Sequence, residues 1–106
     1  MNLKVSILTV SYQSAVTLRQ TIESVLAQDY TNKEYWVIDG GSTDGSLEIL
    51  KSFGSAIQFI SEKDGGIYDA MNKGLKLIDG DVIGMIGADD FYPSNDVISS
   101  VVSTFE

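Results

Sequence analysis

Val5-Ser6-Ile7-Leu8-Thr9-Val10 is the stretch on which the fold turns. It is short, β-branched and nearly all apolar, without the polar–apolar alternation of a strand that faces water on one side. A strand of this kind is covered on both faces, as in parallel α/β sheets. Interrupted by Ser6 and Thr9, it is also too short for a signal-peptide core or a membrane span, so the cytoplasm is the expected compartment. The polar connection Ser11-Tyr12-Gln13-Ser14 follows. Leu18, Ile22, Val25 and Leu26 then recur at helical spacing, with Arg19, Gln20 and Glu23 facing away and Ser14 placed to cap the helix.

The unit repeats in kind. Tyr35-Trp36-Val37-Ile38 reads as a second buried strand, Asp39 to Gly45 as a turn, and Leu47, Leu50 and Phe53 as one face of a short helix. Ile57-Gln58-Phe59-Ile60 is a third strand. The loop Lys63-Asp64-Gly65-Gly66 leads into a helix from Ile67 to Leu77. Asp81 to Ile86 is a fourth strand, followed by Gly87-Ala88-Asp89-Asp90, and Val97, Ile98, Val101 and Val102 begin a last helix after Pro93, the only proline. Strands alternating with helices predict an α/β fold, a Rossmann-like, mostly parallel sheet of about four strands with flanking helices and right-handed crossovers. No linker, repeat or low-complexity run divides residues 1–106. The last helix stops at Phe105-Glu106 without a cap or tail, as an excised piece of a longer chain would.

The 106 residues suffice for one hydrophobic core. Hydrophobic residues at 43% and charged residues at 21% are those of a globular domain and argue against disorder. The chain has no cysteine and no histidine, which excludes disulfides, zinc-thiolate sites, cysteine nucleophiles and every histidine-based catalytic site. Its net charge of −8 makes nucleic acid and anionic lipid poor partners.

Open parallel sheets bind ligands beyond the carboxyl ends of their strands. Asp39 follows the second strand, Lys63 and Asp64 the third, and Asp89 and Asp90 the fourth, so carboxylates converge on one rim. Their mutual repulsion calls for a compensating cation. Magnesium or manganese suits carboxylate oxygens and would let an acidic rim accept a diphosphate. Ordinary turn and cap chemistry is the competing account for Asp39, Thr43 and Asp44. For Asp89-Asp90 the functional account is favoured, since two adjacent carboxylates at the end of a buried strand are costly as loop filler. The G-x-G-x-x-G, P-loop, receiver and EF-hand patterns are absent.

Four segments together resemble the inverting glycosyltransferases of family 2, which have the GT-A fold. They are Val5 to Gln13, Glu34 to Gly45 with its Asp39-Gly40-Gly41-Ser42-Thr43-Asp44-Gly45 run, Asp64 to Gly74 with Ala70-Met71-Asn72-Lys73-Gly74, and Gly80 to Asp90. The resemblance implies a nucleotide-sugar donor, with Thr9 and Tyr12 holding the nucleotide, Tyr12 by stacking, and Asp39 bonding to the base. It further implies Asn72 touching the nucleotide or sugar, Asp89 approaching ribose or sugar, and Asp90 ligating the metal on the diphosphate. A saccharide or other acceptor would receive the sugar, and uridine is the base to expect first, with guanosine and thymidine open. Gly87 and Met71 depart from the family, which often has an acidic residue and an arginine there, so metal binding would rest mainly on Asp90. The family's general base lies further along the chain, and none is identified here. The competing readings are a non-catalytic nucleotide- or metal-binding module on the same scaffold, and an interaction domain whose open sheet edge or last helix docks on a missing partner segment, with self-association as its sign.

Overall fold

A computed structural model describes residues 2–105; Met1 and Glu106 lie outside the described residues. The elements in chain order are β1 (Val5–Ser11), α1 (Ala15–Leu26), β2 (Lys33–Asp39), α2 (Ser46–Ser52), a 3-10 turn (Gly54–Ala56), β3 (Gln58–Ser61), α3 (Ile67–Leu75), β4 (Val82–Met85) and α4 (Val97–Phe105). The four strands form one parallel sheet in the order β3-β2-β1-β4. β1 is central. All of it pairs with β2, from Val5 opposite Lys33 to Ser11 opposite Asp39, and Val5 to Leu8 pair with Val82 to Met85 on the other side. Its position explains the unbroken apolar run, since Val5, Ile7 and Leu8 are all buried.

The two faces of the sheet are covered unequally. On one, Val5, Ile7 and Val37 pack with Leu18, Ile22 and Val25 of α1, Leu50 of α2, and Ile98 and Val102 of α4. On the other, Leu8 and Ile38 meet Ala70 of α3. The chain winds outward from β1 to β3 with its helices on the first face, then returns past β1 to β4 by way of α3 on the second. Right-handed crossovers require that change of face when the direction of winding reverses. α3 lies close to the sheet because Gly74 has no side chain: a Cβ there would stand 2.4 Å from Leu8 Cδ1. Among the described residues no helix is long and apolar enough to cross a membrane.

Several boundaries differ from those read in the sequence. β2 begins at Lys33, because Lys33 and Glu34 pair with β1 despite their charge. β3 is displaced by one residue, and Ile57 drops into the core instead. α3 ends at Leu75, beyond which the Leu77 N–H turns back to the Gly74 carbonyl at 3.0 Å. Ser14 occupies the cap position of α1, but its hydroxyl donates to the Tyr12 carbonyl and caps nothing. The cap comes from the neighbouring loop after β2: the Ala15 N–H donates to Asp44 Oδ2 at 3.0 Å. Asp44 Oδ1 meanwhile accepts the Ser46 N–H at 3.1 Å and the Ser46 hydroxyl at 2.7 Å at the start of α2.

One carboxylate therefore serves two helix starts. The Ser46 hydroxyl first, then the Ala15 N–H, hold the Asp44 carboxyl below the usual aspartate range. Its folded pKa is depressed, so its stabilisation is present in full above the unfolded value of about 3.9 and is lost as pH falls through the folded one. Thermal melts of wild type and Asp44→Asn should differ most at pH 7 and converge as pH is lowered toward 3.

Candidate functional site

Strand order reverses around β1, and the crevice expected at that point lies beyond the carboxyl ends of the strands. A cavity of about 370 Å³ occupies it, walled by Val10 near the end of β1, Tyr12 after it, Gly40 after β2, Lys63 and Asp64 after β3, and Ile67 and Ala70 of α3. A second hollow of about 160 Å³ shares Val10 and Ile67 with it and continues past Met71 and Met85 to Gly87 at the end of β4. Together they make one groove, from the β3 loop to the Gly87–Asp90 turn, on the face of the sheet that carries α3. Its floor is apolar and its polar groups stand at the two ends.

The loops around the groove are tied to one another by side chains. Gln13 adopts the left-handed conformation, with φ of 52°. Its N–H donates to Ser42 Oγ at 2.7 Å, its Oε1 accepts the Thr43 N–H at 2.7 Å, and its Nε2 donates to Thr43 Oγ1 at 3.2 Å. This joins the loop after β1 to the turn after β2. Asp39 is wholly buried beneath that turn. Its carboxylate accepts the N–H groups of Gly41 and Ser42 at 3.1 and 2.8 Å, and the hydroxyls of Ser42 and Ser61 at 2.7 and 2.9 Å. Three of these donors fall on Oδ2 and one, the Ser42 hydroxyl, on Oδ1, so the buried carboxylate is satisfied from within the chain.

The residues singled out in the sequence separate into two sets. Tyr12 lines the cavity and is 64% exposed. Asp89 and Asp90 sit at the far end in a turn closed by the Asp90 N–H on the Gly87 carbonyl at 3.1 Å. Thr9 is elsewhere: it is buried on the α1 face, its hydroxyl 2.8 Å from that of Tyr35, because alternate residues of a strand face opposite ways and Val10 is the one that meets the groove. Burial pushes the Tyr35 hydroxyl upward in pKa, so it remains a neutral partner for Thr9. Asp39 also lies outside the groove, with its oxygens occupied as described. Asn72 is exposed, about 200° around α3 from both Ala70 and Gly74, which face the sheet; it points away from the site.

Asp89 Oδ1 and Asp90 Oδ2 converge over Gly87, 3.1 and 3.9 Å from where a Cβ would stand. The glycine leaves room for both carboxylates, and both are exposed. The described residues contain no group of three or more acidic or histidine side chains placed to hold a metal ion. Two carboxylate oxygens nonetheless suit magnesium or manganese, which normally keep waters or substrate phosphates in the remaining positions.

Two features of the site escaped the sequence. Thr17 and Thr21 of α1 hold the Ala88–Asp90 turn: their hydroxyls lie 2.8 and 2.9 Å from the Ala88 carbonyl, and Thr21 also reaches the carbonyl of Asp90. The signal was a polar residue, Thr21, inside the buried stripe of α1. Asp64 and Lys63 were visible only as residues following a strand, whereas both line the cavity.

Residues 6–106 match the family model described as Glycosyl transferase family 2. The chain is 37% identical over 100 residues to the uncharacterized glycosyltransferase Rv1514c of Mycobacterium tuberculosis, covering 92% of this chain and 38% of that protein. It is 32% identical over 91 residues to the glycosyltransferase GlyA of Streptococcus pneumoniae, covering 83% of this chain and 13% of that one. Among solved structures, the mannosyltransferase PcManGT from Pyrobaculum calidifontis, in complex with GDP-Man and Mn2+, superposes with a TM-score of 0.86 at 22% identity, over 94% of this chain and 31% of that one. TarS 1-349 of S. aureus, in complex with UDP-GlcNAc, gives 0.84 at 21% identity, over 95% and 30%. The chain belongs to glycosyltransferase family 2 and has the GT-A fold. It spans 38% of the length of the Mycobacterium relative.

Asp39→Asn places an amide N–H₂ among four donors. It should destabilise the fold by about 2–4 kcal/mol. Thermal denaturation should show this as a Tm on the order of 10–20 °C lower.

Proposed function

We propose that residues 1–106 are the donor-binding part of a longer GT-A glycosyltransferase domain. In this reading the groove takes a nucleoside-diphosphate sugar, uridine being the first base to test, and the whole enzyme passes the sugar to a saccharide or other acceptor with inversion, in the cytoplasm. The observation that carries the reading is the continuity of the groove. An aromatic ring and an apolar floor lie at one end, and an exposed pair of carboxylates lies at the other, across the switch point of the sheet. The complexes of two structural neighbours, PcManGT with GDP-Man and Mn2+ and TarS with UDP-GlcNAc, support it.

The division of labour follows from the placement of the side chains. Tyr12 offers a ring face on which a base stacks. Asp90, with Asp89 beside it, would hold a magnesium or manganese ion. Such an ion would offset the charge of the leaving diphosphate, which an acidic rim otherwise repels. Thr17 and Thr21 fix the carbonyls of the turn so that the two carboxylates stay together. Asp39 and Gln13 act on the donor indirectly, by shaping the loops that carry Tyr12 and Gly40. Inversion needs a carboxylate on the side of the sugar opposite the diphosphate, within hydrogen-bond reach of the acceptor hydroxyl. In this reading Asp89 and Asp90 are taken up with the metal and Asp64 lies at the opposite end of the groove, so we assign the general base to the acceptor-binding part of the longer domain.

Calorimetric titration of the purified chain with UDP, GDP and dTDP tests this directly. With manganese, one of them should bind; EDTA or Asp90→Ala should weaken that binding at least about 10-fold. Binding indifferent to both would overturn the metal-site assignment. Sugar transfer by the 106 residues alone should be far below that of a full-length relative; comparable turnover would overturn the assignment of the base.

A further inference from the structure

We propose that the stretch carrying Asp89 and Asp90 is a strap formed in advance of any ligand and clamped to α1, and that Thr21, Ser24 and Gln28 are positioning residues for the carboxylate pair. The proposal rests on the donor-binding reading above and adds what holds the two carboxylates together before an ion and a nucleotide arrive.

Residues 86–96, between β4 and α4, form neither helix nor strand. Such a stretch has no ladder of its own, so its backbone groups must find their partners elsewhere. Thr17, Thr21 and Ser24 fall within about 60° of one another around α1, and Gln28 follows just past the end of the helix. A hydroxyl has one hydrogen to give. With Thr17 donating to the Ala88 carbonyl at 2.8 Å, Thr21 is free to donate to the carbonyl of Asp90. Ser24 donates to the Thr21 carbonyl at 2.8 Å and accepts the Tyr92 N–H at 3.1 Å. Gln28 Nε2 donates to the Ser94 carbonyl at 2.6 Å, and its Oε1 accepts the Ile98 N–H at 3.0 Å. Ile98 lies in the first turn of α4, where no carbonyl of the helix itself reaches that N–H. The four side chains therefore meet every second residue of the strap, from Ala88 to Ser94, and Gln28 also caps the helix that follows. The Asp29 N–H adds a main-chain bond to the Asn95 carbonyl at 2.8 Å.

The clamp holds a conformation that the strap would not keep by itself. Asp89 Oδ1 and Asp90 Oδ2 converge over Gly87, and neither carboxylate accepts a hydrogen bond from a described residue. Like charges so placed repel, and a free turn would let them separate. Thr21 is fully buried beside Leu18, Ile22 and Val25, where a valine would fill the same space and leave the Asp90 carbonyl unpaired. An ion that needs both oxygens binds in proportion to the share of molecules in which they already stand together. None of the three positioning residues lines the groove, so they act through Asp89 and Asp90.

The first test is amide hydrogen exchange on the chain without metal or nucleotide. The Tyr92 and Ile98 amides, bonded to Ser24 and Gln28, should exchange at least about 100-fold more slowly than in an unstructured chain. Free exchange at either amide overturns the proposal, whether or not manganese and nucleotide then slow it. The second test is calorimetric titration, with manganese, of whichever of UDP, GDP and dTDP the wild type binds. Thr21→Val should weaken that binding about 10-fold, while Thr21→Ser, which keeps the hydroxyl, should stay within about 3-fold of wild type. In an Asp90→Ala chain, Thr21→Val should cost less than about 2-fold more, because its effect passes through Asp90. Should Thr21→Val fail to fold, Ser24→Ala carries the same test: the Tyr92 amide should lose its protection, and binding should weaken about 3-fold only where Asp90 is present. Manganese-dependent binding that these variants leave unchanged, that Thr21→Ser loses as fully as Thr21→Val, or that falls equally with and without Asp90, overturns the proposal and leaves the donor-site reading standing. A folded wild type that binds none of the three nucleotides overturns both.

Discussion

The carboxylate of Asp39 is the constraint around which the rim is arranged. A charge buried at the end of a central strand is tolerated only when its oxygens are fully paired, and here every partner comes from the chain itself. The Gly41 and Ser42 N–H groups bend the chain sharply as it leaves β2. Ser61 ties the end of β3 to the same oxygen. The conformation of the turn and the distance between two strand ends are therefore settled by one group. The positive φ of 82° at Gly41 shows what the turn requires, since a side chain there would also meet the Lys63 backbone at 3.1 Å. The loops of β2 and β3 lie against each other, which is why Gly40 and Asp64 come to face Tyr12 at one end of the groove.

This arrangement assigns different tasks to carboxylates that look alike in a sequence. Asp39 and Asp44 are internal acceptors: one organises a turn, the other starts two helices. Asp64 is divided, with one oxygen spent on its own loop and one left over. The carboxylates of Asp89 and Asp90 accept no hydrogen bond from the described residues and lie exposed together. The rim is acidic in composition, yet only at the last pair does unpaired negative charge accumulate on adjacent residues. A cation is best accommodated there, because a hard ion replaces water most readily with oxygens that have no other commitment.

Much of this was legible in the residues. The apolar, unalternating Val5–Val10 run led to a parallel sheet with this strand at its centre, and the alternation of strands and helices led to the topology. The Gly80–Asp90 segment led to the candidate site after β4. What could not be read was where each side chain points once a loop closes. Asp39 and Asp64 both follow strands and both precede glycine; only their three-dimensional partners separate a buried brace from a free acceptor. Thr9 sits one residue from the groove-facing Val10, and a two-residue period reverses its role. Asn72 lies in a motif shared with the family, but a helix turns through about 100° per residue, so membership of a motif does not place a side chain on the inner face. Asp44 was read as a local cap and proved to cap α1 as well, a contact between residues 29 apart in sequence that no local rule describes.

The two ends of the groove are joined through α1. Its first N–H is held by Asp44, in the turn that Asp39 shapes, and the same helix carries Thr17 and Thr21, whose hydroxyls hold the carbonyls of the Ala88–Asp90 turn. The helix is packed along its buried stripe of Leu18, Ile22 and Val25, so it behaves as a strut more than a hinge. The spacing between the aromatic slot and the paired carboxylates is thereby set by a helix on the opposite face of the sheet, not by residues within the groove. In the proposed reading, that is the reach a nucleoside diphosphate would have to span, from its base to its phosphates. Asp44 and Thr21 therefore bear on the distance between the two ends although neither lines the groove.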